Sequence, residues 1–246
     1  MDPAFIALNI AVLSAAALQS ATGIGFGIIA GPIMLVVLND ASAIHVSILL
    51  NLFIAGLLTP TLLHNVDKAL LGTLALGLLI GTPFGIWAFL AMNIESLKLA
   101  AALAVMLTLA LTVRSHRKPA TRTPTDAGNA ERGLMGALAG LMGGSLAIPG
   151  PIPAAWMSAN GYGKDAIRAT ILAMFVLSYS ISLGLQLGMT GIGRETFFLA
   201  LTLVPSTLGG IAAGRLLHRC LTEDVFRRML LVVLAATVVL LIATLV

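Results

Sequence analysis

Two clusters of glycine, hydroxyl and amide residues interrupt an otherwise apolar chain. The first runs Gln19-Ser20-Ala21-Thr22-Gly23-Ile24-Gly25-Phe26-Gly27, and Gly31-Pro32 follows it. The second is Gly143-Gly144-Ser145, followed by Pro149-Gly150-Pro151. Glycine breaks a helix through backbone entropy, and proline through its missing N–H. A helix that restarts after a break offers N–H groups and the positive end of its dipole. Hydroxyl and amide side chains add neutral donors, and glycine lets the backbone approach a ligand closely. Such a set holds a small anion without a fixed positive charge. The candidate ligands are Gln19, Ser20, Thr22, Gly23, Gly25 and Gly27 on the first break, and Gly143, Gly144 and Ser145 on the second. The glycines also have a second reading, because Gly23, Gly27 and Gly31 follow the GxxxG spacing of close helix packing.

Other candidates lie outside these clusters. His45 and Arg168 sit at the starts of two apolar stretches. Arg168 is either an anion ligand or an interfacial anchor. His45 is an interfacial polar residue, an anion ligand when protonated, or a proton carrier. Asn51, Ser178, Tyr179, Ser182 and Gln186 lie within apolar stretches, as interhelical hydrogen-bond partners or as cavity lining. All ten carboxylates fall at the ends of stretches or in loops, so no buried carboxylate relay for protons is visible. The single Cys220 and four scattered His residues give no metal or redox site. No cluster of nucleophile and base lies inside the apolar stretches, so no enzyme and no cofactor are expected. The Gly-x-Gly-x-Gly run lacks a preceding strand and a following acidic residue, so it is no nucleotide loop.

The elements that position these residues follow from composition. Of 246 residues, 59% are apolar and 10% charged. That balance cannot cover a water-facing surface, and it excludes both a soluble domain and a disordered chain. The expectation is an all-α polytopic membrane protein. Stretches without Asp, Glu, Lys or Arg run 3–39, 41–66, 69–94, 99–113, 133–163, 169–193, 196–214 and 229–246. About 20 apolar residues cross the hydrocarbon core. Six stretches fit one crossing each. The other two, 3–39 and 133–163, are too long, and each is read as a broken hairpin that folds back on itself.

Nine of the 14 basic residues lie in two loops. Arg114, Arg117, Lys118, Arg122 and Arg132 mark a Pro- and Thr-rich linker over 114–132. Arg215, Arg219, Arg227 and Arg228 mark the other. The positive-inside rule places both loops in the cytoplasm. An even number of crossings must separate them, which requires 133–163 to turn back. Both termini then lie outside.

The halves resemble each other. Gly31-Pro32-Ile33 matches Gly150-Pro151-Ile152 at an offset of 119 residues. Ile44 to Leu49 matches Ile167 to Leu172 at 123, Gly85-Ile86 matches Gly210-Ile211 at 125, and Ile94 to Leu97 matches Thr222 to Val225 at 128. The first repeat is therefore 1–113, with hairpin 3–39 and spans 41–66, 69–94 and 96–113. The second is 133–246, with hairpin 133–163 and spans 167–193, 196–214 and 229–246. A hairpin plus three spans is an odd number of net crossings, so the repeats are inverted, an architecture common among secondary transporters.

The Gly-rich break up to Pro32, the His45-Val46-Ser47 stretch, the turn His64-Asn65-Val66-Asp67, the helix spaced by Gly77, Gly81 and Gly85, and the last span after Ile94-Glu95-Ser96-Leu97 recur after the basic linker. This pattern resembles the TauE/SafE sulfite exporter family. The resemblance implies a bacterial cytoplasmic-membrane transporter, an exporter of small sulfur-containing anions such as sulfite or organosulfonates, driven by an ion gradient. The remaining readings are a carrier or channel for another small anion, carboxylate or sulfate, and a membrane accessory subunit. The partners expected are the anion, the lipid bilayer, a coupling ion (proton or sodium) and a second copy of the chain, with no nucleic acid.

Overall fold

Stretches that carry no charge and no helix breaker have one way to satisfy their backbone in lipid, the intrahelical hydrogen bond. A computed structural model describes residues 3–117, 123–124, 127–189 and 191–220, with 232, 235–237, 239–240 and 243 near the C-terminus. The helices are α1 (Pro3–Thr22), α2 (Phe26–Leu38), α3 (Ser42–Leu58, continued by a 3-10 turn over Thr59–Asn65), α4 (Lys68–Ala91), α5 (Ile94–Arg117), α6 (Asn129–Leu146), α7 (Pro151–Ala159), α8 (Lys164–Met189) and α9 (Arg194–Cys220). Among the described residues there is no strand, and six helices are long and apolar enough to cross a membrane. The expected span 229–246 lies largely outside the described residues.

Local chemistry sets the helix ends. The Asp67 carboxylate accepts from Leu70 N at 3.0 Å and caps α4. Asp40 Oδ1 accepts from Ser42 N at 2.7 Å before α3. Hydrogen bonds from the Ser42 side chain and backbone hold the Asp40 carboxyl below its ordinary range. Asn39 ends α2 in the left-handed conformation, at φ 48°, which asparagine tolerates better than most residues. Pro32, Pro83 and Pro205 sit inside α2, α4 and α9, as membrane helices allow.

Helix directions can be followed through the contacts. In α4 and α6, Leu74 lies against Gly136, Leu78 against Gly140 and Thr82 against Gly144, so the two run parallel. In α1 and α9, Asn9 meets Ser206, Leu13 meets Gly210 and Ala17 meets Gly214, again parallel. Asp67 N donates to Thr170 Oγ1 at 3.1 Å, which puts the starts of α4 and α8 on one side. The short α8–α9 connection then puts the starts of α9 and α1 on the other. Trp156 Nε1 donates to Glu131 Oε1 at 2.7 Å, so α7 returns to the side where α6 began. Lys98 Nζ donates to Asn39 Oδ1 at 2.6 Å, so α2 returns to the side where α4 ends and α5 begins. The two interrupted hairpins thus enter from opposite sides.

The two matched Gly-Pro-Ile tripeptides occupy different places in the fold. Gly31-Pro32 lies inside α2, whereas Gly150-Pro151 stands at the start of α7. The helix starts Phe26, Ser42 and Lys68 precede the starts Pro151, Lys164 and Arg194 by 125, 122 and 126 residues. A tripeptide match at 119 residues aligned two prolines that do different work.

Helix pairing depends on glycine. On α4, Gly77, Gly81 and Gly85 face the backbone of α6, while Leu76, Ile80, Phe84 and Trp87 are exposed on its other side, as lipid contact requires. Gly210 and Gly214 do the same for α9 against α1. A Cβ at Gly81 would strike the Ala137 backbone, whereas one at Gly72 meets open space. Overpacking costs about 1–3 kcal/mol, and each kcal/mol is worth about 2–4 °C at this size. Gly81→Leu is therefore expected to lower the melting temperature in detergent by at least several degrees, while Gly72→Ala leaves it unchanged or raises it.

Candidate functional site

The first break follows from two glycines in conformations that other residues avoid. Gly23 has φ 85° and Gly25 has φ 144°. Between them the chain leaves α1 and enters α2. Three side chains satisfy the freed backbone. Thr22 Oγ1 donates to Leu18 O at 2.8 Å and accepts from Ile24 N at 3.1 Å. Gln19 Oε1 accepts from Phe26 N at 3.0 Å, at the start of α2. Arg168 Nη2 donates to Ser20 O at 2.5 Å, near the negative end of α1. Gly23 leaves room for the Arg168 stem, because a Cβ there would lie 2.7 Å from Arg168 Cγ.

The second break is built differently. α6 continues through Gly143, Gly144 and Ser145 and ends at Leu146. The turn is made by Ala147, at φ 57° and ψ 35°. Its N–H bonds to Gly143 O at 3.1 Å, and Ile148 N bonds to Met142 O at 3.2 Å. Tyr179 Oη donates to Ala147 O at 3.0 Å from α8. α7 then starts at Pro151. Pro151 and Pro153 have no N–H, and Ala154 N already bonds to Gly150 O at 3.1 Å. Few donors therefore remain at the start of α7, and the start of α2 is equally committed, with Phe26 N on Gln19 Oε1 and both Ile28 N and Ile29 N on Gly25 O.

The breaks meet in the interior. A Cβ on Gly27 would collide with Ala147 O, so glycine is required where the two backbones approach. Beside this contact is a cavity of about 10 Å³, room for about one water. Its lining includes Gln19, Ile24, Gly25, Gly27 and Ile28 from the first hairpin, Ala147, Ile148, Pro149, Gly150 and Pro151 from the second, and Phe175 and Tyr179 from α8. Gln19 is fully buried. Its oxygen is committed to Phe26 N, which as a pure donor fixes the orientation of the amide. The other end, Nε2, has no acceptor. A larger cavity of about 500 Å³ lies by the α8–α9 turn, and Arg194 is its only polar lining residue beside Leu49, Leu183, Leu187, Ile192, Phe197 and Phe198.

Of the expected site residues, Gln19, Gly25 and Gly27 line the small cavity. Ser20, Thr22 and Gly23 form the turn beside it, and Ser20 Oγ is used on Ile211 O at 3.0 Å. Gly143, Gly144 and Ser145 lie in the last turn of α6, before the break, and Ser145 Oγ donates to Leu141 O at 2.7 Å. Arg168 holds the end of α1. His45 and Asn51 lie on α3 and do not line the cavity: the His45 ring packs edge-on against Phe89 at 5.5 Å, and Asn51 Nδ2 donates to Ser47 O at 3.0 Å. Sequence reasoning did not include Ala147, Ile148, Gly150, Pro151 and Phe175 among the site residues. The Pro-Gly-Pro run was the available signal for Gly150 and Pro151, while nothing about an alanine or an isoleucine marks it as a turn.

A family model described as sulfite exporter TauE/SafE matches residues 8–241. The chain belongs to that family. No curated protein and no solved structure matches it. TauE/SafE members are membrane transporters rather than enzymes, and this member is a multi-pass membrane protein. A TauE/SafE chain with an interrupted α1 must keep its exposed carbonyls satisfied, and Arg168 does so here. A hydrogen bond from a charged donor is worth about 1.5–3 kcal/mol. Arg168→Met keeps the stem packed on Gly23 and removes the donor, and it is expected to lower the melting temperature by several degrees. An unchanged melt would show that the guanidinium does not hold the break.

Proposed function

We propose that this protein is a secondary transporter that exports small sulfur-containing anions, sulfite or organosulfonates, by alternating access around the two helix breaks. The observation that carries this reading is the Gln19 amide. Phe26 N–H holds its oxygen at the start of α2, its buried Nε2 is without an acceptor, and the residue lines the cavity. An anion there meets an amide donor and the positive end of the α2 dipole. Gly25 and Gly27 add close backbone approach, and Tyr179 forms part of the same wall. The residues of the second hairpin that line the cavity carry no polar side chain, so the site is one-sided.

A cavity of about 10 Å³ is too small for a four-atom oxyanion, so the anion is admitted when the breaks separate. Two hairpins from opposite sides supply two gates around one point. The matching spacing of helix starts supports an inverted repeat, and rocking of one repeat against the other gives alternating access. The basic loops 114–132 and 215–228 orient the chain with both in the cytoplasm of a bacterial inner membrane and both termini outside.

Gln19→Glu separates binding from folding. It keeps an acceptor for Phe26 N, loses the free donor and sets a negative charge against the anion. In proteoliposomes it is expected to reduce sulfite flux at least tenfold while the melting temperature stays near the parent value. Parent-like flux would overturn the site. Parallel flux of a taurine-like sulfonate, sulfate and a simple carboxylate identifies the anion class, with sulfite and sulfonate expected to move fastest.

A further inference from the structure

We propose that the last turn of α6 and the facing sides of α4 and α8 form a binding site for a sodium ion, built from the hydroxyls of Thr82, Ser178 and Ser182 and the carbonyls of Gly143 and Gly144. A hydroxyl inside a helix normally bonds to the carbonyl four residues earlier. In this protein Thr22, Thr73, Thr108, Ser145 and Thr207 all do so, at 2.7–3.0 Å. Thr82, Ser178 and Ser182 do not. All three are fully buried, and their hydroxyls have no hydrogen-bond partner. A buried hydroxyl left without its local bond is costly, about 1–3 kcal/mol. Three such groups around one helix end form a set of oxygens available to a guest.

Ser178 and Thr82 sit against the end of α6, and Ser182 follows Ser178 on α8. Ser178 and Ser182 are one turn apart on the same face of α8. A Cβ on Gly143 would lie 2.6 Å from Ser178 Oγ, and one on Gly144 would lie 2.7 Å from the main-chain oxygen of Thr82. From α8, Gln186 Nε2 reaches Gly144 O at 3.4 Å. Gly143 and Gly144 therefore have a use the helix break does not explain: without side chains, they bring the α6 backbone to the polar faces of α4 and α8.

The chemistry selects the ion. The end of a helix carries the negative pole of the dipole and exposed carbonyls, so it favours a cation and opposes an anion. Hydroxyls and carbonyls are hard, neutral oxygen donors. A calcium-sized divalent ion requires carboxylates, and the set has none. Among the described residues, no group of three or more His, Cys, Asp or Glu forms a metal site. The set also lacks a titratable group to carry a proton. Discontinuous helices bind coupling sodium ions at such carbonyl ends. The ion site itself is independent of the transport reading, but its role in coupling rests on that reading. Ala147, which follows this turn, is the residue that Gly27 packs against at the anion cavity, so order at one site reaches the other.

The test measures sodium binding with no substrate present. The purified protein is melted in increasing NaCl, KCl and choline chloride at matched ionic strength. Sodium is expected to give a saturable rise of a few degrees that potassium and choline do not reproduce. Ser182→Ala and Thr82→Val should each abolish at least half of that rise. Thr82→Ser, which keeps the oxygen, and Ser145→Ala, whose hydroxyl is already bonded within α6, should retain it. Equal shifts in all three salts, no shift in sodium, or a full shift in both Ser182→Ala and Thr82→Val would overturn the site. Gln19→Glu keeps the sodium shift if the two sites are separate, so loss of sulfite flux in that variant does not bear on the ion.

Discussion

In a hydrocarbon environment no water is available to satisfy backbone N–H and C=O groups, so every interrupted helix creates a debt that side chains must cover. This structure interrupts two helices near its centre and covers both. At the first, Gln19 and Arg168 serve opposite poles: an amide oxygen takes the first donor of α2, and a guanidinium supplies the last turn of α1. At the second, Tyr179 reaches from α8 to the carbonyl of Ala147. The residues that make the breaks tolerable also surround the cavity between them. Stability and a polar interior point are products of one requirement.

The same requirement explains the glycine distribution. Lipid gives helices little hydrophobic reason to associate, so close backbone contact and dispersion must hold them together. Gly77, Gly81 and Gly85 let α4 lie on α6, and Gly210 and Gly214 let α9 lie on α1. Each interrupted helix is thus clamped along its length to an uninterrupted one. The breaks are fixed in depth by these pairs, and Gly27 permits them to touch at Ala147. The central cavity is as small as this contact makes it.

Much of the fold was legible because its signals are local. Charge-free stretches gave the helices, and Gly23 and Gly25 gave the first break through conformations open to few other residues. The second break was placed one turn early. Gly143-Gly144-Ser145 has the composition of an interruption, yet the helix runs through it because those glycines serve packing against Ser178 and α4. The turn falls instead on Ala147, whose left-handed conformation is imposed by its surroundings and not signalled by its type. Gly31-Pro32 misled in the same way, since a proline inside a membrane helix is tolerated. The type and position of Arg168 point to an anion ligand or an interfacial anchor, but its partner, Ser20 O, is 148 residues away in the chain.

The sequence alone determined the solvent of this protein and its periodic elements. A charged fraction of 10% and the lengths of the apolar stretches leave only membrane helices, because backbone satisfaction is a local condition that composition can express. The tertiary structure decided which polar residues share a space. Gln19, Gly27, Ala147 and Tyr179 meet only once α1, α2, α6 and α8 are packed. Thr82 and Ser178 come to the end of α6 only because Gly143 and Gly144 let three helices pack closely. Proximity across helices depends on packing between distant segments, and no single stretch of chain encodes it.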